Sequence, residues 1–481
     1  MKNKTDPQAA VLDYIHRESL LSPGDRVIVA LSGGADSVAL FYLLLENREH
    51  LEIELEAAHF NHGLRGPAAD EDEAFVRRLC EKEGVPLSVE QGHMSRLPRP
   101  KGEGTEAWAH RLRYAFFERL AKSHDAKIAT GHTLSDNAET VLFHAIRGAG
   151  TRGLSGIAAS CGPFVRPLLV LSRAEVRQFC AQRGHEFVLD ATNEDTVYTR
   201  NLLRLEALPV LERAHPGAER SLHRLALNMG ELDGWLTELA TSLLSEANVE
   251  DAAIPPGWRL PSYDVQTLLS APAPVRKKAL SLLLGRGAEA YTLSALEGLL
   301  GGETSCLNLP GGCRAHLRAG RLLFAREAPP SFPSRRCNLH GQVFVLPAGY
   351  RIEMGVEEMP QAGGQFFEKQ KKDYTFRADY DKINQYGILR TRREGDSFHE
   401  AGRRHRKSLK KWMIEKGIDR ELRAALPLIA SVAQEEVLWV WGAGFAHRLQ
   451  PDAGTKKICW IKTAYRPPDN KEGHEHERPH A

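Results

Sequence analysis

The chain has 481 residues, with 64 Lys and Arg against 62 Asp and Glu, a formal charge of +2, and 42% hydrophobic residues. This ordinary globular composition excludes a wholesale acidic or basic tail protein, but it leaves a local basic patch open. At roughly 150 residues per domain, the length points to about three domains rather than one core.

Residues 26–31 (RVIVAL) read as a buried strand, 37–47 as a helix, 51–60 as a strand and 69–83 as a helix. A third strand is expected over 87–91, a helix over 105–124, and a fourth strand over 126–130 feeding a helix over 135–146. Short apolar strands alternating with helices predict an α/β domain over 1–215, a parallel sheet covered on both faces with ligands beyond the carboxyl ends of its strands. Apolar residues Leu222, Leu225, Leu227, Leu232, Trp235 and Leu239 recur at roughly helical spacing, and this helix opens a helical middle domain over 216–335. A turn-rich stretch at 301–320 and a linker at 328–336 lead into a smaller α+β C-terminal domain over 336–465, followed by a disordered tail over 466–481.

The apolar run at 38–45 is far short of the roughly 20 residues that cross a bilayer, and the acid-bearing N-terminus lacks the pattern of a signal peptide. A cytoplasmic chain with no membrane partner is expected. Seven cysteines without a Cys-x-x-Cys pair read as reduced thiols.

The sharpest local signal is Ser32-Gly33-Gly34-Ala35-Asp36-Ser37, set between the first strand and its helix. The glycines allow a tight turn that aims successive amides at an anion, and the helix N-terminus adds partial positive charge. No Lys follows the second glycine, so this is not a Walker A loop. A plain strand-to-helix turn with Ser32 or Ser37 as N-cap would use the same residues.

This string resembles the hallmark of the PP-loop pyrophosphatases, of adenine nucleotide alpha hydrolase-like fold, which transfer AMP from ATP onto an oxygen. Further strings narrow the resemblance: His59-Phe60-Asn61-His62-Gly63-Leu64-Arg65, the run from Glu106 to Tyr114, and Gly131-His132 through Asp136, Asn137, Glu139 and Thr140 into Arg147-Gly148. Arg166-Pro167-Leu168-Leu169, Asp190 to Asn193, and Arg200-Asn201 to Arg204 follow. Together they are similar to the tRNA(Ile)-lysidine synthetase family, with departures at Ser135, where an acid is frequent, and His110, where an Arg is common.

The resemblance implies ATP and Mg²⁺ as cofactors, with isoleucine tRNA bearing a CAU anticodon and free L-lysine as partners. The wobble cytidine is adenylated at its C2 oxygen, and the lysine ε-amine then displaces AMP, which changes decoding from AUG to AUA and charging from Met to Ile. On these positions Ser32, Gly33, Gly34, Ala35, Asp36, Ser37, His59 and Arg113 would bind ATP, Asp36 through the metal, with Arg113 and Arg204 as clamps on developing charge. Asp136 and Glu139, three apart at a helix start, would share a face and, with His132, hold the amine. The same pair also fits a cap, with Asp136 as N-cap and Glu139 reaching back. His59, His62 and His132 read as structural or base-contacting residues in preference to zinc ligands.

Residues 368–411 hold 14 Lys or Arg against 7 Asp or Glu. Arg403, Arg404, Arg406, Lys407, Lys410 and Lys411, with Arg200 of the first domain, are the candidate tRNA contacts, and Trp412 is expected in the core. The string from Gly395 to Trp412 resembles the C-terminal domain of the same family, and the middle helical domain would contact the anticodon side. A tRNA thiolase of the same fold would need a catalytic cysteine or a cysteine-bound cluster. A non-catalytic RNA-binding protein would not need the intact Ser32, Asp36, Arg113, Asp136 and Glu139. A homodimer stays open.

Overall fold

The computed structural model describes residues 6–63, 66–94, 104–188, 199–249, 254–255, 257–285, 290–326, 332–339, 341–358, 373–383, 387–432 and 436–465. Of the sequence features above, 64–65, 190–193, 328–331, 368–372, 384–386 and 466–481 lie outside the described residues. The chain divides into two compact units, one within Met1–Trp235 and the other within Leu236–Glu475.

The first unit opens with α1 (Pro7–Arg17) and then alternates β1 (Arg26–Ala30), α2 (Ala35–Glu46), β2 (Glu54–Asn61), α3 (Pro67–Glu83), β3 (Leu87–Gln91), α4 (Thr105–His124), β4 (Ala126–Ala129) and α5 (Leu134–Ile146). Apart from α1, which the sequence reading did not include, these are the expected strands and helices, with ends shifted by up to three residues. A short helix α6 (Thr151–Leu154) and two short strands that the sequence reading missed, β5 (Ser160–Cys161) and β6 (Phe164–Val165), follow, then α7 (Arg173–Arg183), α8 (Thr199–Leu202) and α9 (Leu208–Ala214). A single π-turn over Leu203–Ala207 joins the last two.

The sheet order is β3-β2-β1-β4-β6-β5, parallel throughout except for the β5–β6 pair. The chain proceeds outward from β1 in one direction through β2 and β3, then returns to place β4 on its other side. The carboxyl ends of β1 and β4 therefore flank the point where the strand order reverses, which is where open α/β sheets leave a crevice. Both faces are covered, one by the cluster of Val27, Val29, Val38, Phe41, Val76, Leu168 and Val176, the other by Ile28, Ala58, Tyr114, Phe117 and Ile128. Continuous apolar strands buried on both sides are what a parallel sheet requires.

The helix α10 (Ala218–Ala247) carries the chain into the second unit. There three helices, α11 (Val265–Ser270), α12 (Ala273–Leu284) and α13 (Ala290–Leu300), in the stretch read from the sequence as helical, are joined by a four-stranded antiparallel sheet. Its strands are β7 (Ser262–Asp264), β8 (Cys306–Leu309), β9 (Cys313–Arg318) and β10 (Arg321–Arg326), so the turn-rich stretch is largely hairpin. The closing part is antiparallel, with a five-stranded and a four-stranded sheet around a core that includes Trp258, Phe398, Trp412, Trp439 and Trp441. Arg335 and Arg336, read from the sequence as the end of a linker, lie in an edge strand paired with Leu389 and Ile388.

Candidate active site

The Ser-Gly-Gly-Ala-Asp-Ser loop leaves β1 and enters α2. Gly33 has φ +91°, a left-handed conformation that disfavours any side chain, although a Cβ there would make only ordinary contact with Phe75, Val76 and Val188. Ser32 and Ser37 brace the turn: their hydroxyls lie 3.0 Å apart, the Ser37 hydroxyl donates to the Gly34 carbonyl at 2.9 Å, and the Ser32 amide donates to the Ser37 hydroxyl oxygen at 3.2 Å. No side chain caps α2, so its first-turn amides are left for an anion. The N-cap alternative for Ser32 or Ser37 is thus not realised, because Gly34 occupies the cap position.

The loop after β4 lies against this one. A Cβ on Gly131 would come within 3.1 Å of the Asp36 carbonyl carbon and the Ser37 nitrogen, so only glycine permits the approach. Thr133 then caps α5: its hydroxyl accepts from the Asp136 amide at 3.3 Å, and Asp136 Oδ2 accepts in return from the Thr133 amide at 2.8 Å and hydroxyl at 2.7 Å. The cap expected at this point exists, but one turn earlier in role, with Thr133 as N-cap and Asp136 as the reciprocating acid. Glu139 is left to face the crevice.

Around these carboxylates the structure places two arginines. Arg173, in the first turn of α7, donates to Asp136 at 2.5 Å and to Glu139 at 3.0 Å, and its Nε lies 3.9 Å from Asp36. Arg204, on the π-turn, grips both Glu139 oxygens at 2.8 and 3.0 Å. Arg200 donates to the Thr140 hydroxyl at 2.8 Å, beside this cluster. Burial, reinforced by the charge of Asp136, pushes the Asp36 carboxyl up to about 6 against the pull of Arg173. Burial also opposes the charge of Asp136, but Arg173 and the hydrogen bonds from Thr133 outweigh it and hold this carboxyl below the ordinary range. His132, whose Nδ1 is 2.9 Å from the Thr130 hydroxyl, is pushed down to about 4 by burial and is neutral at physiological pH.

His59 sits beneath the loop, buried, with Nδ1 2.8 Å from the Leu31 carbonyl at the end of β1. Arg113 lies on α4 with its guanidinium 5.7 Å from the Tyr114 ring, and its charge reaches His132. One face of the crevice is thus an uncapped amide cradle and the other a carboxylate pair held by guanidinium groups.

A PP-loop domain family matches residues 7–211, and a TilS substrate C-terminal domain family matches residues 388–460. The tRNA(Ile)-lysidine synthase of Dehalococcoides mccartyi is 30% identical over 478 residues, covering 94% of this chain and 98% of that one. The chain belongs to the tRNA(Ile)-lysidine synthase family. The synthase of that name from Symbiobacterium thermophilum is 32% identical over 95% of this chain and 98% of its own length, and that of Thermus thermophilus is 38% identical over 69% and 64%.

Within this synthase framework, Arg173 is the charged crevice residue that sequence reading missed. Its signal was the Ser172-x-x-Glu175 capping box, both halves of which are formed. That box sets Arg173 at the first position of a helix, where the dipole disfavours a cation, so an Arg there points to a partner elsewhere. Ser135, the departure from the family pattern, joins two elements: its hydroxyl donates to Glu219 of α10 at 2.7 Å and accepts from the Arg173 amide at 3.1 Å. His110, the other departure, stacks on Tyr114 with ring centroids 4.2 Å apart.

The basic segment of the second unit is built separately. Arg403, Arg404, Arg406, Lys410 and Lys411 are exposed and Lys407 is half-buried. Arg404, Lys410 and Lys411 have no hydrogen-bond or ion-pair partner among the described residues, whereas Arg406 donates to Ser397 at 2.6 Å and Lys407 pairs with Glu415 at 2.7 Å. Trp412 is buried, as expected, with its indole donating to Glu400 at 3.1 Å. Asp396 is structural: it takes a bidentate pair from Arg390, both oxygens at 2.7 Å, with both residues almost fully buried.

Proposed function

We propose that this chain joins L-lysine to C2 of the wobble cytidine of an isoleucine tRNA with a CAU anticodon, by way of an adenylated cytidine. The observation that carries this reading is the crevice at the switch point, where an amide cradle suited to phosphate faces carboxylates suited to an amine. The names of the relatives, which are lysidine synthases over nearly the whole chain, point the same way.

The first step forms a bond between the cytidine O2 and the α-phosphorus of ATP and breaks the α–β anhydride, so that pyrophosphate leaves. Backbone amides of Gly34, Ala35 and Asp36, with Ser32 and Ser37 shaping the turn, would receive the phosphates, and Arg113 and Arg204 would balance the charge. Asp36 Oδ1 is buried and accepts no hydrogen bond among the described residues, which fits an oxygen that a divalent cation would fill. No cluster of three metal-ligating side chains exists among the described residues, so Mg²⁺ would be held by Asp36 together with polyphosphate oxygens, where it would neutralise their charge.

In the second step the lysine ε-amine, having lost a proton, attacks C2, the C2–O bond breaks and AMP departs with the oxygen. An ammonium of pKa about 10.4 needs carboxylates to hold it and a base to receive its proton. Asp136 and Glu139, with His132 neutral beside them, would hold it. Arg403, Arg404, Arg406, Lys407, Lys410 and Lys411 would offer the tRNA backbone its counter-charge, as would Arg200 beside the crevice of the first unit.

A thiolase reading has no support at the site. Cys180, whose thiol lies 3.7 Å from the Ala35 carbonyl, is buried and pushed up to about 11, which makes it a poor nucleophile. The test is mass analysis of CAU-anticodon isoleucine tRNA after incubation with ATP and lysine. The expected product carries one lysine, in an ATP-dependent reaction; an unchanged tRNA mass overturns the reading, and a sulfur-for-oxygen increment in a parallel incubation with ATP and sulfide would establish the thiolase.

A further inference from the structure

Every carboxylate oxygen of the amine-side pair is engaged by a protein donor. Asp136 Oδ2 takes both Thr133 donors, Asp136 Oδ1 takes Arg173, Glu139 Oε1 takes Arg173 and Arg204, and Glu139 Oε2 takes Arg204. Arg173 spans the space between Asp136 and Glu139, so a second cation bridging the same two acids would compete with its guanidinium. Arg204 is bidentate on Glu139 and meets Asp136 only at 3.8 Å, so the group that bridges the two acids is Arg173.

Arg173 also reaches the other lip. Its third nitrogen, Nε, lies 3.9 Å from Asp36 Oδ2 on the phosphate-facing loop. Its backbone cannot travel far. The Arg173 amide is bonded to Ser135 of α5, the Leu134 amide donates to the Leu171 carbonyl at 2.8 Å, and the capping box holds the turn between them. The side chain is therefore anchored beside both half-sites, and a change of rotamer alters its partners without moving the helix.

We propose that Arg173 is a placeholder counter-ion: it fills the ammonium position between Asp136 and Glu139 while the amine site is empty, and the incoming ε-ammonium displaces it toward the phosphates beside Asp36. This rests on the lysine-binding reading of Asp136 and Glu139. Buried carboxylates left without a counter-ion are costly, and exchanging one cation for another means that neither acid is ever uncompensated. The released guanidinium is well matched to phosphate, which it can grip with two parallel donors. Binding of the amine and neutralisation of the phosphates are then thermodynamically linked, each favouring the other.

The test uses the full-length enzyme and CAU-anticodon isoleucine tRNA, measuring the KM for lysine and the rate of pyrophosphate release with and without saturating lysine. In Arg173→Ala, lysine no longer competes with an internal cation, so its KM is expected to fall about fivefold, a shift within the usual range of coupling between sites. The same variant is expected to lose about tenfold or more of the pyrophosphate-release rate measured at saturating lysine, through loss of the guanidinium that the ammonium sends to the transferring phosphate. A residue that merely scaffolds the carboxylates would instead leave the lysine KM unchanged or raise it, and that outcome overturns the placeholder. If Arg173→Ala does not fold, Arg173→Lys, which keeps one charge but cannot bridge both acids, is expected to shift both quantities in the same directions, and no shift overturns the proposal. Asp136→Asn, run in parallel, should raise the lysine KM about tenfold through loss of a charged hydrogen bond. An unchanged KM in that variant locates the failure in the lysine-binding reading itself.

Discussion

Asp36 joins the glycine-rich loop after β1 to the acid cluster, and its protonation is coupled to folding. Its carboxyl is raised to about 6 by burial and by Asp136. The folded state therefore binds this proton more tightly than the unfolded chain does, so the stability Asp36 contributes is complete below about pH 4 and is lost as pH rises through about 6. Asp36→Asn should be more stable than the native chain at pH 7 by about 2 kcal/mol, with the difference closing below about pH 4, as read from urea midpoints. The same variant should abolish pyrophosphate release while leaving tRNA binding in place, since a site tuned for chemistry carries a local cost in stability. Glu139 is the opposite case. It is fully buried and holds two guanidinium groups, so Glu139→Gln should cost about 3 kcal/mol in a urea titration, because it leaves buried positive charge without its counter-ion. The acids of this cluster were readable because they stand together at a helix start. Arg173 was not, since its partners lie 34 and 37 residues away in the chain and no local pattern links them.

At the level of elements, the two loops at the switch point depend on each other. Gly131 is needed because the atoms it faces, the Asp36 carbonyl carbon and the Ser37 nitrogen, are backbone and cannot rotate aside. Gly131→Ala should therefore part the loops by a few tenths of an ångström, at a cost of about 1–3 kcal/mol. Pyrophosphate release should fall far more than stability does, because the phosphate-facing amides move with the loop; a variant that loses stability alone would separate the two loops functionally. Helix α5 shows why an element can be predicted and its faces not. Its position and period were legible, yet Asp136 and Glu139 face the crevice while Ser135 and Asn137 reach Glu219 and His223 of α10. Helix α10 makes the same point. Its apolar spacing announced a helix, but Leu225, Leu232 and Trp235 are exposed and the buried residues are Ala218, Ala226, Ala240, Leu243 and Ala247. Spacing reports the period of an element, not which stripe its neighbours cover.

For the molecule as a whole, near-neutral charge conceals a partition. The cluster at the crevice balances acids with Arg173 and Arg204, whereas the basic surface from Arg403 to Lys411 includes three cations with no partner among the described residues. Cations already paired inside the protein cannot release counter-ions on binding RNA, but unpaired ones can. Replacing Arg404, Lys410 and Lys411 with Gln should weaken tRNA binding and reduce the slope of log K against log salt by about 2, measured by filter binding over a salt series. An unchanged slope would remove this surface from the interface. Arg390 belongs to the same basic run in the sequence but is tied inside the core to Asp396, so Arg390→Gln should lower stability and leave the salt slope alone.

The sequence by itself determined the α/β alternation of the first 146 residues, the phosphate-facing turn, the acid pair at a helix start and the basic run before Trp412. Each is a matter of neighbours in the chain: hydrophobic period, glycine where the backbone must turn, a cap within four residues. Only the tertiary structure decided that β4 lies beside β1, that Asp36 and Asp136 therefore flank one crevice, and which arginine neutralises which carboxylate. A charge takes its partner from whatever the fold brings within a few ångströms, and sequence separation carries no information about that distance.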